Sequence, residues 1–284
     1  MQRHLGPVLA QGGKLAYAGG VALNVKLNQG LMALPQVQQL FVQPAAGDAG
    51  TAIGAATYVA AAAGDPIKPL QHVYLGPDYS TEECLAACAA HPARPQYRRL
   101  DDTIASAADI LAAGNPLAWF QGRMEFGPRA LGNRSILGNP AHPGVAERIN
   151  AQIKYRERWR PFCPSVSDRV AADIIGTDHP APYMTFTFDV APHWKNRIPE
   201  VVHEDGTARV QIVSAASNPR YHALLDAMAE RTGNAVLLNT SLNRRGEPMV
   251  CSPKDALDMF FGCDLEYLIL QDVLVTKPGV AGGR

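Results

Sequence analysis

Trp119-Phe120-Gln121-Gly122-Arg123-Met124-Glu125-Phe126-Gly127-Pro128-Arg129-Ala130-Leu131-Gly132-Asn133-Arg134-Ser135-Ile136 decides how the chain is read. It starts as a short apolar run with the character of a strand. It then becomes a loop in which three arginines and a glutamate stand among three glycines and a proline. Glycine lets backbone approach a ligand closely, and proline stiffens a turn. Arginine grips phosphate or carboxylate through two parallel hydrogen bonds. A loop of solvated charges is the plain alternative for any one of these arginines. The whole set in one glycine-rich loop favours an anion-binding site.

The rest of the chain alternates strand and helix signals. Leu15–Ala18 reads as a strand, Gly19-Gly20 as a turn and Val21–Leu31 as a helix. Leu40–Val42 is a second strand, and Ala52–Ala63 an alanine-rich helix. Backbone N–H groups at such a glycine turn can bind phosphate, although a glycine pair often marks only tight packing. Asp48 stands where a loop meets a helix start, as a first-turn acid or as a metal ligand. The stretch 64–75 carries Gly-Asp-Pro and Lys-Pro and reads as a linker. The boundary therefore falls there, giving segments 1–75 and 76–284.

Beyond it, Ser80 and Glu83 form a capping box that opens a helix over Thr81–Ala90. Tyr97–Leu100 reads as a strand, Thr103–Ala113 as a helix, and Leu117–Phe120 as the strand leading into the opening loop. Val145–Ile153 is a helix running into the cation-rich stretch Lys154–Phe162. Met184–Val190 and Thr207–Val213 alternate like strands, and Arg209 shares a face with Gln211, a solvent face on the plain reading. Tyr221–Arg231 is a helix, and Val236–Leu238 a strand ending in Asn239-Thr240-Ser241-Leu242-Asn243. Open α/β sheets bind ligands at such strand ends, and turn chemistry is the competing account. Asp255–Phe261 is a helix, and Tyr267–Leu270 and Val273–Thr276 close the chain. The pattern predicts an α/β layer fold.

Composition narrows the function classes. The 284 residues are 47% hydrophobic and 18% charged, with 26 basic and 26 acidic side chains. A zero formal charge argues against a broad nucleic-acid face. No apolar run reaches transmembrane length. Met1–Gly13 lacks the apolar core of a signal peptide. The five cysteines show no CxxC spacing and fit reduced thiols in a cytoplasmic protein.

Several motifs together resemble the O-carbamoyltransferase family that includes nodulation and antibiotic carbamoyltransferases. They are Ala18–Asn24, Gln43–Gly50, Gly122–Ile136, Ile153-Lys154 with Arg156-Glu157, Arg160-Pro161-Phe162, Leu238–Asn243 and Arg245–Pro248. The resemblance implies the end of a Kae1-like domain of the actin-like ATPase type, followed by a YrdC-like open mixed sheet with helices. It implies that the YrdC-like part makes carbamoyladenylate from carbamoyl phosphate and ATP, with Mg²⁺ accompanying the ATP. The Kae1-like part, with an iron-type metal, would pass the carbamoyl group to a hydroxyl of a small molecule. By position, Lys154, Arg129, Arg209 and Ser241 resemble the catalytic carbamoyladenylate site, with Asn239, Asn133 and Arg134 as neighbours. Gly19, Gly20 and Asn24 resemble the nucleotide-binding turn of the first domain, and Asp48 its metal-ligating aspartate.

The family's HxxxH pair has no counterpart among the eight histidines. The resemblance therefore expects the first half of the Kae1-like domain from elsewhere, as the rest of a longer protein or as a partner chain. A nucleotide-binding subunit inactive alone, or a YrdC-type protein acting on tRNA, are the alternatives.

Overall fold

The computed structural model describes Leu9, residues 12–155, Glu157 and residues 160–277. Arg156, Arg158 and Trp159 of the cation-rich stretch, and most of Met1–Gly13, lie outside the described residues.

The first segment is a small parallel pair, β1 (Lys14–Tyr17) and β2 (Gln39–Val42), joined through a helix. That helix begins later than the sequence suggests. Gly20–Leu23 forms a single 3₁₀ turn, and the α-helix spans Val25–Met32. The reason is local: the Asn24 side chain accepts from the Leu27 N–H at 3.1 Å and caps the helix there. Asn28, fully buried, donates to the carbonyls of Ala22 and Thr185, both at 2.8 Å. Leu31, Leu40, Val42 and Ala46 join the same hydrophobic cluster as the main sheet. One core therefore runs across the expected boundary.

The main sheet has eight strands. These are β3 (Gln96–Arg99), β4 (Leu117–Phe120), β5 (Arg134–Gly138), β6 (Cys163–Ser167), β9 (Gln211–Val213), β10 (Val236–Ser241), β11 (Tyr267–Leu270) and β12 (Val273–Thr276), set in the order β3-β12-β11-β4-β5-β10-β6-β9. β11–β4 and β6–β9 are parallel and the other neighbours antiparallel, so the sheet is mixed. A small pair, β7 (Phe188–Asp189) with β8 (Thr207–Ala208), stands apart.

Side-chain alternation splits the sheet into two packed faces. Leu117, Trp119, Leu237 and Ile269 face the helices Thr103–Ala112 and Pro219–Thr232. Ala118, Phe120, Leu238 and Leu268 face the helices Thr81–Ala90 and Pro253–Phe261. Helices on both sides of an open mixed sheet are the α/β architecture that the sequence predicts. The capping box at Ser80 forms, with the Glu83 carboxylate accepting from the Ser80 N–H at 2.7 Å.

Several expected elements differ. β5, β6 and the helix Asp168–Ile175 are additional. Met184–Val190 contributes only β7, and Thr207–Val213 is split into β8 and β9. The split occurs because the chain leaves β7 for β6 there, and it puts Arg209 at the break. The helix over Val145–Ile149 relaxes into a wider π turn, Asn150–Lys154, and ends at Tyr155 with φ of 45°.

Candidate active site

The loop 121–133 joins the antiparallel neighbours β4 and β5, and Glu125 closes it from inside. One oxygen of this buried carboxylate accepts from the backbone N–H groups of Leu131 at 2.7 Å, Asn133 at 2.8 Å and Arg134 at 3.2 Å. Burial pushes the Glu125 carboxyl above the usual range, and these amides pull it back. Trp119 Nε1–H and Gln121 Nε2–H both donate to the Gly132 carbonyl. Gly132 itself has φ of +101°, and a Cβ there would lie 2.2 Å from the Tyr221 ring, so only glycine fits.

The expected linker is a strap over this loop. Val73 is buried, its carbonyl accepts from Phe126 N–H at 2.7 Å, and Tyr74 O–H donates to the Leu131 carbonyl at 2.9 Å.

Asn133 and Arg134 brace the loop and do not line its cavity. The Asn133 Oδ1 accepts from Gln121 at 2.6 Å and Asn218 at 2.8 Å. The Arg134 guanidinium lies 3.5 Å from the Phe120 ring centroid and donates to the carbonyls of Gln121, Gly122 and Asn133. Burial lowers the Arg134 pKa, and Glu125 opposes the shift.

A cavity of about 90 Å³ opens beside the loop. Arg129 enters it from the loop and Arg209 from the β8–β9 break. Asn239 and Ser241 come from the C-terminal end of β10 and Cys163 from the start of β6. The register pairs Asn239 with Cys163, which sets both on one face. Arg209 Nε–H donates to Cys163 Sγ at 2.9 Å. Burial first, then the like charge of Arg209, lowers the Arg129 pKa to about 10. Among the described residues neither guanidinium forms an ion pair with a carboxylate. Two uncompensated cations facing one small polar cavity are arranged for an anion. A larger cavity of about 620 Å³ adjoins it and shares Pro161 and Phe162.

Lys154 stands one step back. Its buried ammonium donates to the carbonyls of Ser241 at 2.5 Å and Asn243 at 2.9 Å, and to Asn243 Oδ1 at 2.7 Å. Ser241 Oγ–H donates to the same Asn243 Oδ1 at 2.7 Å. Lys154 thus fixes the turn that carries Ser241.

The first-segment residues form a different locality. The Gly19 N–H donates to the Ala46 carbonyl at 2.8 Å, Gly20 opens the 3₁₀ turn, and Asn24 caps the following helix. Asp48 opens the short 3₁₀ turn Asp48–Gly50, whose next residue, Thr51, hydrogen-bonds its carbonyl at 2.6 Å. Among the described residues no three His, Cys, Asp or Glu side chains converge as metal ligands. Asp48 alone does not make a complete metal site.

Sequence reading passed over the roles of Glu125 and Gln211. Gln211 is buried, and its Nε2–H donates to the Leu131 carbonyl at 2.8 Å. The shared face of Arg209 and Gln211 was a signal for it, read there as solvent-facing.

Two family models match: "Carbamoyltransferase C-terminus" over residues 108–277 and "Carbamoyltransferase N-terminus" over 8–57. The chain belongs to the carbamoyltransferase family. It is 43% identical to nodulation protein NolO of Bradyrhizobium diazoefficiens, covering 93% of this chain and 49% of that protein. It is 42% identical to NolNO of Sinorhizobium fredii, over 93% of this chain and 40% of that protein. It is 36% identical to nodulation protein U of Rhizobium tropici, over 99% and 46%. The chain thus spans about half the length of the curated relatives it matches. Among the described residues no helix is long and apolar enough to cross a membrane.

Proposed function

We propose that this chain carries the carbamoyl-activating site of an O-carbamoyltransferase, forming carbamoyladenylate from carbamoyl phosphate and ATP. The observation that carries this reading is the pair Arg129 and Arg209, facing one small polar cavity with no described carboxylate between them.

In this reading, water splits carbamoyl phosphate into carbamate and inorganic phosphate. A carbamate oxygen then attacks the α-phosphorus of ATP. The new O–P bond forms as the bond to the bridging oxygen breaks, and pyrophosphate leaves with the electron pair. The chain's part is positioning and charge stabilisation. Arg129 and Arg209 neutralise the oxygens around the α-phosphorus. Ser241, held by Lys154, and Asn239 orient the planar carbamoyl group. The adjoining cavity of about 620 Å³ has room for the nucleoside. Mg²⁺ enters with ATP, held largely by phosphate oxygens.

Transfer to a hydroxyl-bearing small molecule is proposed to need the other half of the first domain, from a longer chain or a partner chain. The helix Thr51–Ala62 supports this. It is mostly alanine, with Ile53, Tyr58 and Val59 among two threonines and a glycine, yet none of its residues is buried, with Tyr58 78% and Val59 65% exposed. An apolar helix left bare is a surface made to be covered.

The test is pyrophosphate release on incubation with ATP, Mg²⁺ and carbamoyl phosphate. Wild type is expected to release pyrophosphate only when carbamoyl phosphate is present, and Arg209→Ala to be at least about 100-fold slower. Equal release by both proteins sinks the reading.

A further inference from the structure

We propose that Cys163 is a positioning residue of the activation site, its sulfur holding the Arg209 guanidinium at the cavity. The inference rests on the carbamoyladenylate reading above and adds to it the group that aims one of the two cations.

Arg209 needs such a group. It stands between β8 and β9, where the chain changes strand partners, and belongs to neither ladder. Its side chain is long and rich in rotamers. Among the described residues no carboxylate pairs with it. Its one side-chain hydrogen bond among them runs from Nε–H to Cys163 Sγ, at 2.9 Å.

Cys163 is anchored well enough to serve. It is buried, opens β6 and pairs with Asn239 of β10, so the sheet fixes its backbone. The parallel register sets Ser165 beside Gln211, and the Ser165 hydroxyl donates to Gln211 Oε1 at 2.7 Å. Two residues back on each strand's chain, Arg209 meets Cys163 in the same way, at the spacing that returns side chains to one face. Cys163 and Arg209 line both the small cavity and a neighbouring one of about 340 Å³, each time with Arg129.

The choice of sulfur has a chemical consequence. The strong anchor for a guanidinium is a carboxylate, joined by charge-assisted hydrogen bonds. Such a pair would cancel the positive charge that the cavity offers to phosphate oxygens. A thiol sulfur accepts only weakly and brings no carboxylate charge. It takes Nε–H and leaves the terminal N–H groups of Arg209 for an anion.

The experiment is a double-mutant cycle on carbamoyl-phosphate-dependent pyrophosphate release, with Cys163→Ala and Arg209→Ala made singly and together. Cys163→Ala alone is expected to lower kcat/KM by about 10-fold, the worth of one hydrogen bond to a charged group. In the Arg209→Ala background the same change is expected to alter it by less than about twofold, because Cys163 acts through Arg209. Cys163→Ser keeps an acceptor on the same Cβ and is expected to recover activity to within about threefold of wild type.

A merely structural role predicts the same loss in both backgrounds, and that result overturns the proposal. A Cys163→Ala protein as active as wild type overturns it too, as does a serine variant no better than the alanine one. If the alanine variant does not fold, Cys163→Val takes its place in the cycle, filling the space without an acceptor, and the same comparison decides. A wild type that releases no pyrophosphate with carbamoyl phosphate overturns the underlying carbamoyladenylate reading, and this proposal with it. An active wild type with equal losses in both backgrounds overturns this proposal alone.

Discussion

Replacing Arg129 with alanine is expected to lower kcat/KM for carbamoyl-phosphate-dependent pyrophosphate release by about 10²- to 10³-fold. The guanidinium is held in a closed loop and directed at a small cavity, so its charge is in place before the reaction starts. Burial, and after it the like charge of Arg209, lowers the Arg129 pKa to about 10, so the two cations repel one another. An anion entering between them removes that repulsion. Arg129→Lys is expected to recover little, because lysine has a point charge and no planar fork. The loss should fall on the reaction and not on folding, since relieving a like-charge contact does not destabilise the protein. Steady-state kinetics with a parallel urea titration separates the two. An Arg129→Ala protein within threefold of wild type would show that the loop does not serve this chemistry.

Glu125→Ala is expected to be the most destabilising single change in the loop, by about 3–5 kcal/mol. Three backbone N–H groups lose their shared acceptor at once, in a place closed to water. Glu125→Gln retains an acceptor oxygen of the same reach and removes a buried charge, so it should cost about 1 kcal/mol or less. Urea unfolding midpoints of the three proteins check this. If alanine and glutamine variants unfold alike, the carboxylate oxygen is not what closes the loop. The same change should also cost activity, because Arg129 stands on the part of the loop that Glu125 closes.

Much of the architecture was legible because it rests on short-range signals. Ser80 with Glu83 announced its helix, and the apolar runs Leu117–Phe120 and Tyr267–Leu270 became central strands as read. The strands passed over are those that disguise themselves. β5 begins with the buried polar pair Arg134-Ser135, charge and hydroxyl where a strand reader looks for apolar side chains. β6 carries Pro164 opposite Leu238 inside the sheet, where proline usually argues against a strand. The break at Arg209 depends on a change of strand partner, which no local pattern encodes.

For the site, residue types were readable and partnerships were not. Arg129, Arg209, Asn239 and Ser241 line one cavity, and Lys154 does not. Asn133 and Arg134 come from the same motif, yet the Asn133 amide and the two terminal nitrogens of Arg134 are spent on holding it. Lys154 finds its acceptors at Ser241 and Asn243, far along the chain, so a sequence shows its charge but not that it is engaged. Glu125 stayed unassigned because its partners are backbone amides, which have no letter in a sequence.

Activation of a carbamoyl group as its adenylate by this chain is tested most directly by isotope exchange. The purified chain is mixed with ATP, Mg²⁺, carbamoyl phosphate and labelled pyrophosphate, and label appearing in ATP is counted. Reversible adenylation predicts exchange that requires carbamoyl phosphate and disappears in Arg129→Ala. Exchange no faster than in the sample without carbamoyl phosphate would contradict it.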